Sequence, residues 1–126
     1  MRKKIILDTN FLVAPFQLSL DLFDQLEELY PGAEIYTLDD AVQEAKSIES
    51  GKYRALVEKL LETQDIEVLK TEGEGSVDDL LVKLSDEYVI ATNDRELRER
   101  LDEKDAETVL VRSKKKLEAR NRHDLG

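Results

Sequence analysis

Five short β-type runs, separated by longer amphipathic stretches, constrain this chain more than any other feature. The runs are Lys4–Leu7, Glu34–Thr37, Ile66–Leu69, Tyr88–Thr92 and Thr108–Val111. Between them, stretches such as Leu20–Tyr30, Asp39–Ile48 and Tyr53–Glu62 repeat apolar residues at helical spacing. Alternation of this kind predicts a parallel sheet with helices on both faces, joined by right-handed crossovers. The expectation is a three-layer α/β/α domain around a central five-stranded parallel sheet. Pro31-Gly32 stops one helix, Gly51 separates two more, and Gly73-Glu74-Gly75 marks a flexible loop before a helix that begins near Ser76. After Leu117 the apolar periodicity is lost. The reading is therefore one folded domain over residues 1–117 and a frayed basic tail over 118–126.

At 126 residues the chain is one domain and long enough to bury a core without staples. It has no cysteine, which excludes disulfides, zinc–thiolate sites and thiol catalysis and favours a reducing, cytoplasmic setting. No apolar run approaches the roughly 18 residues of a membrane span, and only Ile5-Ile6-Leu7 follow the basic start, so neither an anchor nor a signal peptide is expected. The net charge of −10 argues against indiscriminate nucleic-acid binding. The charge is uneven, however. Arg112, Lys114, Lys115, Lys116, Arg120 and Arg122 follow one another with a single acid, Glu118, among them. Such a run is either a solvated tail or a local patch for phosphates on an acidic protein.

Open parallel sheets bind ligands beyond the carboxyl ends of their strands. Asp8 directly follows one β-type run and Asp94 closely follows another. Helical facing sorts the remaining acids, because each residue advances about 100°. In the second helical pattern Leu38, Ala41, Ala45 and Ile48 form the apolar stripe, and Glu44 lies at its edge. Asp39 and Asp40 sit in the first turn, where the helix dipole favours acids, and Thr37 with Asp40 has the spacing of a capping box. In the helix from Val77, Asp78 projects beside the buried arc of Leu81. Asp79 falls with Lys83 on the polar side, where an i,i+4 pair or a cap after Ser76 explains it. Asp94 shares a face with Leu97 and Leu101, while Asn93 and Glu96 have cap spacing. Asp8, Glu44, Asp78 and Asp94 are thus the four acids expected to gather. Thr9 and Asn10 are placed to orient Asp8 or to cap the next helix.

Four carboxylates in one cleft repel one another, at about 4 kcal/mol per pair for 4 Å and an effective dielectric near 20. A cation offsets this, and an all-oxygen donor set selects Mg²⁺ or Mn²⁺ over zinc. Carboxylate-held metal ions hydrolyse phosphodiesters without any histidine. This suits a chain whose sole histidine, His123, lies in the tail.

These residues resemble the motifs of PIN-domain ribonucleases over about Lys3 to Leu117. Leu7-Asp8-Thr9-Asn10 is similar to the family's opening acid motif, Val42-Gln43-Glu44-Ala45 to its helical Glu, Asp78-Asp79-Leu80-Leu81-Val82 to the third, and Ala91-Thr92-Asn93-Asp94-Arg95-Glu96-Leu97 to the fourth. The last segment is especially similar to PIN nucleases that process ribosomal RNA in archaea and eukaryotes, although the zinc ribbon or long basic extension of some members is missing. The resemblance implies a PIN-like fold and a Mg²⁺- or Mn²⁺-dependent endoribonuclease. Asp8, Glu44, Asp78 and Asp94 would carry metal and catalysis, with support from Asn10, Thr92 and Asp79. Arg112, Lys114, Lys115 and Lys116 are the candidate contacts to RNA.

Other functions compete. A toxin-type PIN ribonuclease with an antitoxin partner shares all four acids. A PIN fold that docks RNA or a ribosome-assembly partner without cutting is a second alternative, disfavoured by the complete acid set. A phosphatase of the haloacid-dehalogenase type wants Asp where Asn10 stands, and a response regulator wants a phospho-acceptor that Leu69-Lys70-Thr71 does not supply. The segment Phe11–Leu29 carries more apolar residues than one stripe needs. It forms either two core helices joined near Pro15 or a homodimer face.

Overall fold

The computed structural model describes residues 2–71, 75–113 and 115–120. The chain order is β1 (Lys4–Leu7), α1 (Thr9–Gln17), α2 (Leu22–Leu29), β2 (Glu34–Leu38), α3 (Asp39–Ser47), a left-handed turn at Ile48–Gly51, α4 (Arg54–Thr63), β3 (Glu67–Leu69), α5 (Val77–Leu84), β4 (Val89–Ala91), α6 (Arg95–Glu103), β5 (Thr108–Arg112) and β6 (Lys116–Arg120). The sheet runs β3-β2-β1-β4-β5-β6, parallel except for the last pair.

The central strands are the most apolar. Ile5, Ile6 and Leu7 of β1 are fully buried, as are Ile90 and Ala91 of β4. A strand buried on both faces reads as a continuous apolar run rather than an alternating one. Helices α1, α3 and α4 pack on one another, and α5 packs on α6. The chain crosses the sheet one way from β1 through β2 to β3 and the other way from β3 through β4 to β5, so right-handed crossovers place these two groups on opposite faces. The strand order reverses between β1 and β4, the switch point at which open α/β sheets part their loops and form a crevice.

The five predicted parallel strands are present with slightly different ends, but the sheet has a sixth. Lys116–Arg120 turns back antiparallel on β5, pairing Val111 with Leu117 and Thr108 with Arg120. The ordered structure therefore runs past Leu117, and residues 118–120 are strand rather than frayed tail. Leu117 is the only large apolar residue there, so local periodicity gives no signal. What holds the strand comes from α2. The Gln25 amide donates to the Lys115 carbonyl at 2.7 Å, and its carbonyl accepts the Leu117 N–H at 2.7 Å. Arg112 adds a 2.7 Å ion pair to Glu118. Lys114, the loop residues 72–74 and residues 121–126, including Arg122 and His123, lie outside the described residues.

The apolar excess between Phe11 and Leu29 goes into the core. Phe11, Leu12, Val13, Leu20, Leu22 and Leu26 are buried, and Phe16, Leu18 and Phe23 pack against them. Among the large apolar side chains of this segment only Leu29 is well exposed, so the homodimer face loses the observation that suggested it. Helix α1 also continues through Pro15. The break to α2 comes later, where Ser19 takes a left-handed conformation with φ 51°. No helix among the described residues is long and apolar enough to cross a membrane.

Candidate functional site

β1 ends at Leu7, and Asp8 turns out of the strand into α1. Its N–H still bonds the Ala91 carbonyl at 2.9 Å, so the carboxylate is fixed at the junction of the two central strands. Asp8 is only 9% exposed. A carboxylate that buried requires donors. One oxygen accepts the Thr9 N–H at 2.8 Å, capping α1, and the other accepts the Thr92 hydroxyl at 2.7 Å.

Thr92 follows β4 and is fully buried. Its hydroxyl oxygen also accepts the Asp94 N–H at 3.1 Å. One hydroxyl therefore joins Asp8 to the backbone of Asp94. Asp94 itself caps α6, accepting the Leu97 N–H at 3.0 Å. The expected cap, Asn93 with Glu96, does not form. The Asn93 side-chain Oδ1 instead accepts the Val111 N–H at 2.9 Å and ties this corner to the end of β5. Asn and Asp are near-equivalent caps, and only the course of the chain after β4 selects between them.

Asp78 opens α5 and is half-buried. Burial pushes its carboxyl above the usual carboxylate range, and the charges of Asp94 and Asp8 push it further. Arg100 opposes the rise, and Asp79 adds to it. Asp78 thus feels the charges of two of the other predicted acids. Asp79 is committed elsewhere. It forms a capping box with Ser76, and its Oδ1 takes a 2.8 Å ion pair from Arg100 rather than from Lys83. The Arg100 contact, with help from the cap, holds its carboxyl below the usual range.

Glu44 joins the group through Thr9, whose hydroxyl donates to Glu44 Oε2 at 3.3 Å. Glu44 is exposed, because α3 buries only the small residues Ala41, Val42 and Ala45 and a long side chain flanking them stands clear. Thr9 is buried, whereas Asn10 is exposed. The link between the first and second acid motifs therefore runs through Thr9. Thr37 is not a cap either. It is buried and donates to the Leu7 carbonyl at 2.7 Å, while Asp39 Oδ1 accepts the N–H of Asp40 at 2.8 Å and the N–H of Thr71 at 2.9 Å, together with the Thr71 hydroxyl. Those bonds to Thr71 hold the Asp39 carboxyl below its ordinary value and fasten the chain after β3.

Among the described residues no three acidic or histidine side chains stand close enough to hold an ion outright. The oxygens of Asp8 are taken by protein donors, and Glu44 approaches from an exposed helix. The basic residues lie at the same sheet edge. β5 runs parallel to β4, so the β5–β6 turn projects beyond the carboxyl end that carries Asp94, with Asn93 bonded to Val111 between them. Arg112, Lys115 and Lys116 are exposed there. A concavity of about 650 Å³ lined by Arg2, Lys4 and Tyr88 opens at the opposite edge, away from the acids, and mixes charges of both signs.

Asp8 and Asp94 thus stand at the switch point of a doubly wound sheet, joined through Thr92. The chain belongs to the PIN-like domain family, whose model matches residues 5–114. Its structure is similar to that of the PIN domain endonuclease Utp24, with a TM-score of 0.75 at 25% identity. The match covers 94% of this chain and 91% of that one. No curated protein sequence matches it.

Proposed function

We propose that this chain is a metal-dependent endoribonuclease that hydrolyses RNA phosphodiester bonds, with Asp8, Glu44, Asp78 and Asp94 as its metal-bearing acids. The observation that carries the reading is the single Thr92 hydroxyl that binds Asp8 and the Asp94 backbone, beside an Asp78 whose ionisation both acids oppose. The donor set suits a hard divalent cation, Mg²⁺ or Mn²⁺, because every candidate ligand is a carboxylate oxygen. A cation also relieves the repulsion that raises the Asp78 carboxyl. When bound, such an ion supplies Lewis-acid activation of the phosphate and of the attacking water.

The protein's own groups divide the remaining work. Thr92 orients Asp8 and fixes the turn that presents Asp94. Thr9 draws Glu44 toward Asp8 from the neighbouring helix. Burial and the charges of Asp94 and Asp8 disfavour the Asp78 carboxylate, so it is the acid with most to gain from an ion. Arg112, Lys115 and Lys116 offer exposed positive charge to the RNA backbone next to Asp94, and Lys114 belongs to the same run. Asp79 serves the α5 cap.

The likeness to the PIN domain endonuclease Utp24 supports a nuclease, and the resemblance of the Ala91–Leu97 motif to ribosomal-RNA-processing PIN nucleases favours that setting over the toxin one, and with it a ribosome-assembly partner over an antitoxin. The experiment is RNA cleavage with Mn²⁺, comparing the wild type with Asp8→Asn. Cleavage by the wild type alone is expected, and equal activity in both variants rejects the assignment. A module that binds RNA without cutting would instead bind tightly in EDTA and leave RNA intact in metal.

A further inference from the structure

Among the described residues, Arg100 brings a positive charge to bear on Asp78 against the neighbouring acids. It lies on α6, six residues after Asp94, and its Nη2 reaches across to Asp79 Oδ1 at 2.8 Å, next to Asp78. The Arg100 side chain is 45% exposed, and that of Asp79 is 58% exposed.

The plain structural reading is a strut between α5 and α6. Two observations weaken it. An exposed ion pair contributes about 0–1 kcal/mol, and this pair is open to water. The α5–α6 contact is also tied independently. Lys104 donates to the Val82 carbonyl at 2.7 Å and pairs with Asp86 at 2.9 Å, and Leu81, Leu97 and Leu101 are buried. Asp79 does not need the guanidinium to keep its place, because the capping box with Ser76 already holds it.

The guanidinium has further capacity. It carries five N–H donors in a planar fork that matches a phosphate, and one bond to Asp79 leaves most of them unused. The basic turn approaches the acids from the β5–β6 end of the sheet, and Arg100 approaches them from α5 and α6. An RNA backbone crossing the acids would meet positive charge from both elements.

We infer that Arg100 binds an RNA phosphate beside Asp78, exchanging its contact with Asp79 for a phosphate oxygen when substrate is present. The inference rests on the ribonuclease reading above and names a contact to the substrate that this reading lacks. Asp79 then acts as a placeholder that keeps the arginine extended over the cleft.

The test is binding of a single-stranded RNA oligonucleotide by fluorescence anisotropy in EDTA, across a salt series. The variants are Arg100→Gln, Arg100→Lys and Asp79→Asn, each checked for an unchanged urea midpoint. Arg100→Gln should weaken binding about tenfold, as loss of one charge-assisted phosphate contact does. It should also reduce the salt slope by about 0.7, the value for one phosphate on a single strand. Arg100→Lys should fall between it and the wild type. Asp79→Asn should bind RNA at least as tightly as the wild type, because it frees the guanidinium. Wild-type affinity and slope in Arg100→Gln overturn the inference alone. An Asp79→Asn loss equal to that of Arg100→Gln also overturns it and makes the pair a strut. A wild-type protein that neither binds nor cleaves RNA overturns the ribonuclease reading and this inference together.

Discussion

Replacing Thr92 by Val removes one hydroxyl and little volume from a fully buried position. The hydroxyl makes two bonds. It donates to Asp8 Oδ2 at 2.7 Å and accepts from the Asp94 N–H at 3.1 Å. A hydrogen bond to a charged group contributes about 1.5–3 kcal/mol and a neutral one about 1 kcal/mol. Asp8 is nearly enclosed, so water does not easily replace the lost donor, and the carboxylate keeps a desolvation cost. Together these give a loss of about 3 kcal/mol. For a domain of this size that is a fall in Tm of about 10 °C. The assay is urea unfolding at pH 7 in EDTA, with Thr92→Ser as the control. Serine keeps the hydroxyl and removes a buried methyl, at about 1 kcal/mol. If the bridge is what matters, Val is the worse of the two despite being the more hydrophobic. Thr92→Val within about 0.5 kcal/mol of the wild type, or Ser as damaging as Val, would refute the reasoning. The same order should appear in cleavage, because Asp8 loses its orientation only in the Val variant.

Asp78→Asn should stabilise the protein at neutral pH in EDTA. A carboxyl whose folded pKa is raised contributes stability that is present below its unfolded pKa and lost as pH rises through the folded value. The variant should therefore raise the urea midpoint at pH 7 and have little effect near pH 3, and the opposite pH trend would show that Asp78 is not destabilised by burial and its acidic neighbours. Gln25→Ala should loosen β6, because both amide bonds to Lys115 and Leu117 are lost. Faster hydrogen exchange at the Leu117 amide and a cost of about 1–2 kcal/mol are expected, and unchanged protection there would place the strand's stability in Leu117 burial alone.

The alternation of apolar runs and amphipathic stretches determined the parallel sheet and its crossovers, because strand and helix periods are local properties of sequence. It also placed Asp8 and Asp94 at strand ends, and helical facing separated Asp78 from Asp79. The partners of these groups were decided by the tertiary structure. Thr92 meets Asp8 because β4 pairs with β1, 84 residues apart in the chain. Thr9 meets Glu44 because α1 packs on α3. Gln25 makes an ordered strand of a stretch that has one large apolar residue of its own, and Arg100 replaces Lys83 as the partner of Asp79. A hydrogen bond or ion pair is settled by which groups the fold brings within about 3 Å, and no local period records that distance.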